Sequence, residues 1–196
     1  MKNLVIYIHG NGGNISEADY YKKLFPDCDV KGMDYTSATP WDAVNEMPEL
    51  YDKMADGYQK VTIIANSIGA YFAMCALNRK NIFKAYFISP IVDMEQIITD
   101  MMAKENVTEA ELESKGEIDA LSWDYLCYAR ENKPLWFTGT HIIYGSEDNL
   151  TDEETVFAFA KGHRSTVDVL NGSEHWFHTD EQMAFIADVI KKYESC

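Results

Sequence analysis

The stretch Val61 to Met74, VTIIANSIGAYFAM, constrains this chain more than any other. Val61 to Ala65 is a short apolar run rich in β-branched residues, which reads as a buried strand. Ile68 to Leu77 is apolar at helical spacing and reads as a core-facing helix. The pair Asn66-Ser67 lies between them, and Gly69 follows two residues after the serine. A serine at a sharp strand-to-helix turn, with small residues two before and two after, is the pattern of a nucleophile elbow. The small neighbours are needed because a strained turn brings the flanking backbones together. Here the pattern is A-x-S-x-G, and Ala65 adds only a methyl group where glycine is usual. An ordinary buried strand–turn–helix is the competing reading of this stretch alone.

The rest of the chain alternates in the same way. Strands are expected at Leu4–Ile8, Asp29–Tyr35, Val61–Ala65, Ala85–Ile88, His141–Tyr144 and Thr166–Leu170. Helices are expected at Ser16–Phe25 with Ser16 as cap, from Pro40 to about Gly57 capped by Thr39, at Thr151–Lys161 and at Asp180–Tyr193. Such alternation implies a parallel sheet with helices on both faces. It breaks after the fourth strand. Residues 93–133 hold no strand-like run but three helical candidates: Met94–Asn106, a short helix opened by the Thr108/Glu111 capping box, and Ser122–Asn132. That interruption reads as a helical cap inserted over one edge of the sheet's functional end, within a single domain spanning 1–196.

Composition removes several classes of function. A chain of 196 residues with 46% hydrophobic and 25% charged residues is long enough for one substantial core. A net charge of −15 disfavours nucleic acid and anionic membranes as partners. Cys28, Cys75, Cys127 and Cys196 have no metal-ligand spacing, which argues for reduced thiols, no metal and no disulfide framework. The first apolar run stops at Ile8 and no run reaches transmembrane length, so a cytoplasmic location is expected. The glycine-rich turn His9-Gly10-Asn11-Gly12-Gly13 places backbone amides where an anion can sit, but it is neither GxGxxG nor a P-loop. No cofactor is called for.

A serine hydroxyl needs a base, and the base needs an orienting acid. Asp148 stands just past the fifth strand and His175 just past the sixth, the order Ser…Asp…His. With YIHGNGG (7–13), ANSIG (65–69), YGSED (144–148) and NGSEHWFH (171–178), the chain resembles a compact α/β-hydrolase. The resemblance spans nearly the whole chain and implies an α/β-hydrolase fold of about six mostly parallel strands, without the antiparallel strands that open larger members. It implies Ser67 as nucleophile, His175 as general base and acid, and Asp148 as the residue orienting the imidazole. It also implies an oxyanion hole from the backbone N–H groups of Asn11 and Ile68.

Rivals stand beside these assignments. His178 competes with His175, and Asp93, after the fourth strand, competes with Asp148, which Glu147 and Asp152 flank. His9, His141 and His163 read as structural or solvated. Met101 and Trp123 of the cap are candidates for an adaptable apolar acyl pocket, against the reading that they only pack the cap. The function expected is hydrolysis of small ester or thioester substrates through an acyl-enzyme on Ser67. The alternatives are a peptidase or amidase of small substrates and a non-catalytic ligand-binding member of the fold.

Overall fold

In the computed structural model, which describes residues 2–115 and 122–194, the apolar run Asn3–Ile8 forms strand β1. Cys28–Gly32 (β2) pairs with it on one side and Val61–Asn66 (β3) on the other. Lys84–Ile88 (β4), Thr140–Gly145 (β5) and Thr166–Leu170 (β6) extend the sheet in the order β2-β1-β3-β4-β5-β6, every neighbouring pair parallel. The chain leaves β1 toward β2 and returns to β3 on the opposite side. The carboxyl ends of β1 and β3 therefore diverge at a topological switch point, where open α/β sheets bind ligands.

Burial on both faces explains the unbroken apolar strands. One face carries Ile6, Ile8, Ile63, Ala65, Phe87 and Ile142 under helices α1 (Pro40–Ala55), α2 (Ile68–Leu77) and α6 (Glu153–Gly162). The other carries Val5, Tyr7, Ile64, Tyr86, Ile88 and Ile143 under a 3-10 helical segment, Ile15–Leu24, and α7 (Asp180–Glu194). Between β4 and β5 come α3 (Met94–Glu105), α4 (Glu109–Lys115) and α5 (Trp123–Glu131). Residues 116–121 of the expected cap lie outside the described residues. The three helices join the first face: Ile98, Leu112 and Leu126 enter the same apolar cluster as α1 and α2, and Trp41 meets Tyr125 and Tyr128 edge-on. Arg130 bridges Glu95 and Glu109, and Lys133 bridges Glu95 and Asp93, tying α3, α4 and α5 together at their surface.

Several local expectations are corrected. The first helix is a 3-10 segment capped by Asn14, not Ser16. The Asn14 side chain accepts the Ser16 N–H and Glu17 reaches back to the Asn14 N–H, a complete capping box. Strand β2 ends at Gly32, three residues early, because the Ile15 backbone crosses there; a Cβ on Gly32 would lie 2.4 Å from the Ile15 carbonyl oxygen. Helix α6 starts two residues late, at Glu153, since Asp152 caps it and the Thr151 carbonyl accepts a hydrogen bond from the buried Tyr144 hydroxyl.

Candidate active site

Ser67 sits where β3 gives way to α2, with φ 52° and ψ −122°. A positive φ at a residue with a side chain costs on the order of 1–3 kcal/mol and persists only where the surroundings over-determine it. They do so here. The Ser67 N–H donates to the Ile88 carbonyl at 2.9 Å, and the Ser67 carbonyl accepts from Ala70 at 3.1 Å and Ile91 at 3.3 Å. Gly69 lets the chain after β1 press against the turn: a Cβ there would stand 2.2 Å from the His9 carbonyl oxygen and 2.9 Å from that of Ile8. A Cβ on Gly10 would lie 3.2 Å from the Ser67 Cβ, so the glycine-rich loop is in van der Waals reach of the serine. Ala65, fully buried in the larger cluster, fits where the elbow pattern usually has glycine.

The Ser67 hydroxyl is 2.8 Å from Nε2 of His175, and Nδ1 of His175 is 2.7 Å from Oδ2 of Asp148. The Asp148 side chain is 0% exposed and that of His175 13%. The other carboxylate oxygen, Oδ1, accepts the backbone N–H groups of Leu150 at 2.9 Å and Thr151 at 3.1 Å. With one oxygen committed to these two donors, the second faces the imidazole as an acceptor. Nδ1 then carries the proton and Nε2 is left as the acceptor for the serine hydroxyl.

Local structure explains how His175 arrives there. A Cβ on Gly145, the last residue of β5, would meet the Ser173 carbonyl oxygen at 2.4 Å, so only glycine allows the loop after β6 to cross so closely. That loop is stitched down by Glu147 N–H to Ser173 O (2.8 Å), Ser146 N–H to Leu170 O (3.1 Å) and Gly172 N–H to the Ser146 hydroxyl (2.8 Å). From the far side Gln182 donates to the buried Ser173 hydroxyl at 2.7 Å while accepting the N–H groups of His178 and Thr179. Sequence reading missed Gln182 as the second-layer support of the histidine loop. The signal was present: Thr179-x-x-Gln182 is a capping box at the head of α7.

The rivals are otherwise engaged. Asp93 caps α3 through the Gln96 N–H and faces Lys133 at 3.4 Å. Asp152 caps α6. His178 bonds the Trp176 carbonyl through Nδ1 and stacks on the Trp176 indole. His9 stacks on Tyr35, whose hydroxyl donates to the His9 carbonyl at 2.7 Å. His141 pairs with Thr166 and stacks on Tyr193, and burial lowers its affinity for a proton; His163 bonds the Phe159 carbonyl. Ile68 is the first residue of α2, so its N–H is one of the donors a helix start leaves free. Asn11 lies exposed in a turn closed by Gly13 N–H to Gly10 O at 3.1 Å, directly after the glycine that touches Ser67. Met101 and Trp123 are half-buried and pack against the larger apolar cluster. Burial pushes the Cys75 thiol up to about 12, which keeps it inert near neutral pH. Among the described residues no group of three or more His, Cys, Asp or Glu side chains is arranged to hold a metal ion, and no helix is long and apolar enough to cross a membrane.

Chemically, a hydroxyl held against a neutral imidazole acceptor can lose its proton as its oxygen attacks an electrophile. Comparison with solved structures agrees with the fold. Est1E from Butyrivibrio proteoclasticus superposes with a TM-score of 0.71 at 17% identity, covering 99% of this chain and 87% of its own. Mouse alpha/beta hydrolase domain-containing protein 10 gives 0.73 at 14% identity, covering 98% and 89%. A lipase-esterase related protein from Clostridium acetobutylicum gives 0.65 at 15% identity, covering 97% and 94%. No protein-family model and no curated protein matches the sequence. The chain has the α/β-hydrolase fold.

Proposed function

We propose that this protein is a serine hydrolase that cleaves small ester or thioester substrates through an acyl-enzyme on Ser67. The observation that carries the reading is the hydrogen-bonded series Ser67–His175–Asp148, with its 2.8 Å and 2.7 Å links, anchored at one end by a strained serine and at the other by a buried carboxylate. In this reading the Ser67 oxygen adds to the substrate carbonyl carbon while its proton passes to Nε2 of His175. The carbonyl oxygen takes the negative charge and is held by the N–H groups of Ile68 and Asn11, donors of a kind worth about 3–4 kcal/mol each where removed in other enzymes. When the tetrahedral adduct collapses, the bond to the alcohol or thiol breaks and His175 returns the proton to that leaving atom. Water, deprotonated by His175, then attacks the Ser67 ester, releases the acid and restores the serine. The positive end of the α2 dipole, directed at the serine, supports the developing oxyanion.

The experiment is labelling of the purified protein by a fluorophosphonate probe, with the adduct mapped by mass spectrometry, beside hydrolysis of p-nitrophenyl esters of graded acyl length. Labelling at Ser67 and its loss in Ser67→Ala are expected. A protein that neither labels nor hydrolyses any ester is instead a ligand-binding member of the fold.

A further inference from the structure

We propose that a cavity of about 400 Å3 on the face of the sheet covered by the 3-10 segment and α7 is the leaving-group pocket of this site. We infer that it takes an alcohol or thiol portion with an apolar body and an amino or hydroxyl end. The inference rests on the serine hydrolase reading and adds the substrate side that reading leaves open.

Position is the first argument. The cavity is lined by Asn66, the residue before Ser67, and by Trp176, Phe177 and His178, the residues after His175. Tyr7 and Ile88, at the carboxyl ends of β1 and β4, form its floor. The lining thus holds immediate chain neighbours of both Ser67 and His175, while those two residues themselves lie outside it. In the proposed reaction the histidine is the group that hands a proton to the departing atom. The insertion helices α3, α4 and α5 belong to the opposite face, so this space is separate from the acyl pocket expected there.

Chemistry of the lining is the second. Tyr20, Tyr21, Met183 and Ile186 give it an apolar, largely aromatic wall. Trp176, 66% exposed, adds an indole with a polar N–H at the rim of the cavity. The single acidic side chain in the lining is Glu17, and no lysine or arginine lines the cavity; Lys23 lies over the Tyr20 ring without being part of it. Glu17 is held rigidly, accepting the Asn14 N–H at 3.0 Å on Oε1 and the Tyr7 hydroxyl at 2.5 Å on Oε2. Burial keeps the Tyr7 phenol protonated and hence a donor. A carboxylate has about four acceptor positions, so two donors leave capacity for a hydroxyl or ammonium of the ligand. An anionic end would meet repulsion from Glu17, with no lysine or arginine in the lining to pair with it.

The test uses acetate esters, which share one acetyl-enzyme and differ only in what departs: ethyl, phenyl, para-(aminomethyl)phenyl and para-(carboxymethyl)phenyl. Met183→Trp fills the cavity. It is expected to lower kcat/KM for the aryl acetates relative to ethyl acetate by roughly tenfold or more, while deacylation of the acetyl-enzyme and the acyl-length profile stay unchanged. Glu17→Gln, which keeps the capping shape, is expected to reduce the preference for the aminomethyl over the carboxymethyl ester by a similar factor. Trp176→Ala, at an exposed position, carries the same expectation should Met183→Trp fail to fold. A variant that shifts deacylation or acyl-length preference instead makes this an acyl pocket and overturns the assignment. Unchanged selectivity in all variants overturns it as well. Fluorophosphonate labelling of the wild type separates the two levels: labelling at Ser67 with unaltered leaving-group selectivity sinks the pocket alone, and no labelling sinks the hydrolase reading beneath it.

Discussion

Replacing Asp148 by Asn changes one atom, and the structure says which proton moves in consequence. Oδ1 of Asp148 accepts two backbone N–H groups, from Leu150 and Thr151, while Oδ2 accepts Nδ1–H of His175. An asparagine can satisfy only one of these sides as an acceptor. Turning its NH2 toward the two N–H donors sets donor against donor and leaves the N–H of buried Thr151 unpaired, at about 1–3 kcal/mol for that group alone. The carbonyl therefore stays on that side, and the NH2 faces Nδ1. Nδ1 must then accept, the imidazole proton moves to Nε2, and the ring presents a donor where the Ser67 hydroxyl needs an acceptor. In a characterised serine protease the same inversion lowers kcat by about 10⁴. At 1.36 kcal/mol per decade this corresponds to about 5.4 kcal/mol of barrier. We expect Asp148→Asn to lose kcat on that scale against p-nitrophenyl acetate, with KM and the urea unfolding midpoint nearly unchanged. Nitrogen-15 spectra of the imidazole report the tautomer independently. Retained activity within tenfold of wild type, or a variant whose His175 still carries its proton on Nδ1, refutes the reasoning.

Ser67→Gly and Ser67→Ala should both abolish turnover, but the glycine variant should be the more stable in urea by about 1 kcal/mol, since it relieves the positive φ; equal midpoints show that the turn is unstrained. Gly69→Ala should cost more than ~3 kcal/mol or fail to fold, because its Cβ would stand 2.2 Å from a backbone oxygen; near-wild-type melting contradicts the close approach. His141 has its proton affinity lowered from the ordinary 6.5, chiefly by burial. As pH falls through about 6.5 the unfolded chain takes up a proton that the folded chain refuses, so this contribution to stability is present above that pH and lost below it. His141→Gln should flatten the fall in urea midpoint on acidification, and an unchanged slope removes His141 from the account.

What the sequence made legible follows from how strongly each residue is constrained. Strands β1, β3 and β4 are buried on both faces, so their apolar runs stand out, and the hydrogen-bonded Ser67, His175 and Asp148 each stand just past the carboxyl end of a strand, a position legible in sequence order. Contacts made at a distance left weaker marks. The cap of the 3-10 segment moved from Ser16 to Asn14 because both are good caps, and only the reach of Glu17 decides between them. The Gly145–Ser173 crossing has no local signature at all, since it joins residues on different strands. Met101 and Trp123 drew attention as large apolar residues in an insertion, and both pack half-buried against the larger apolar cluster. The cavity beside Asn66 was invisible because its wall combines residues between Tyr7 and Tyr21 with Asn66, Ile88 and residues between Trp176 and Ile186, which sequence order holds far apart.

The link between Ser67 and His175 joins positions 108 residues apart in the chain. At ribosomal speeds of about 5–20 residues per second, roughly 5–20 s pass between the synthesis of one and of the other. During that interval the elbow strand can already pair with β1, but the imidazole that would activate the hydroxyl does not yet exist. On the proposed reading the nascent polypeptide thus carries its serine without its base, an unassisted alcohol until β6 has docked on β5. Chemical competence arrives late, with the closing strand and helix, and a refolding chain should regain probe labelling only in its slowest, sheet-completing phase.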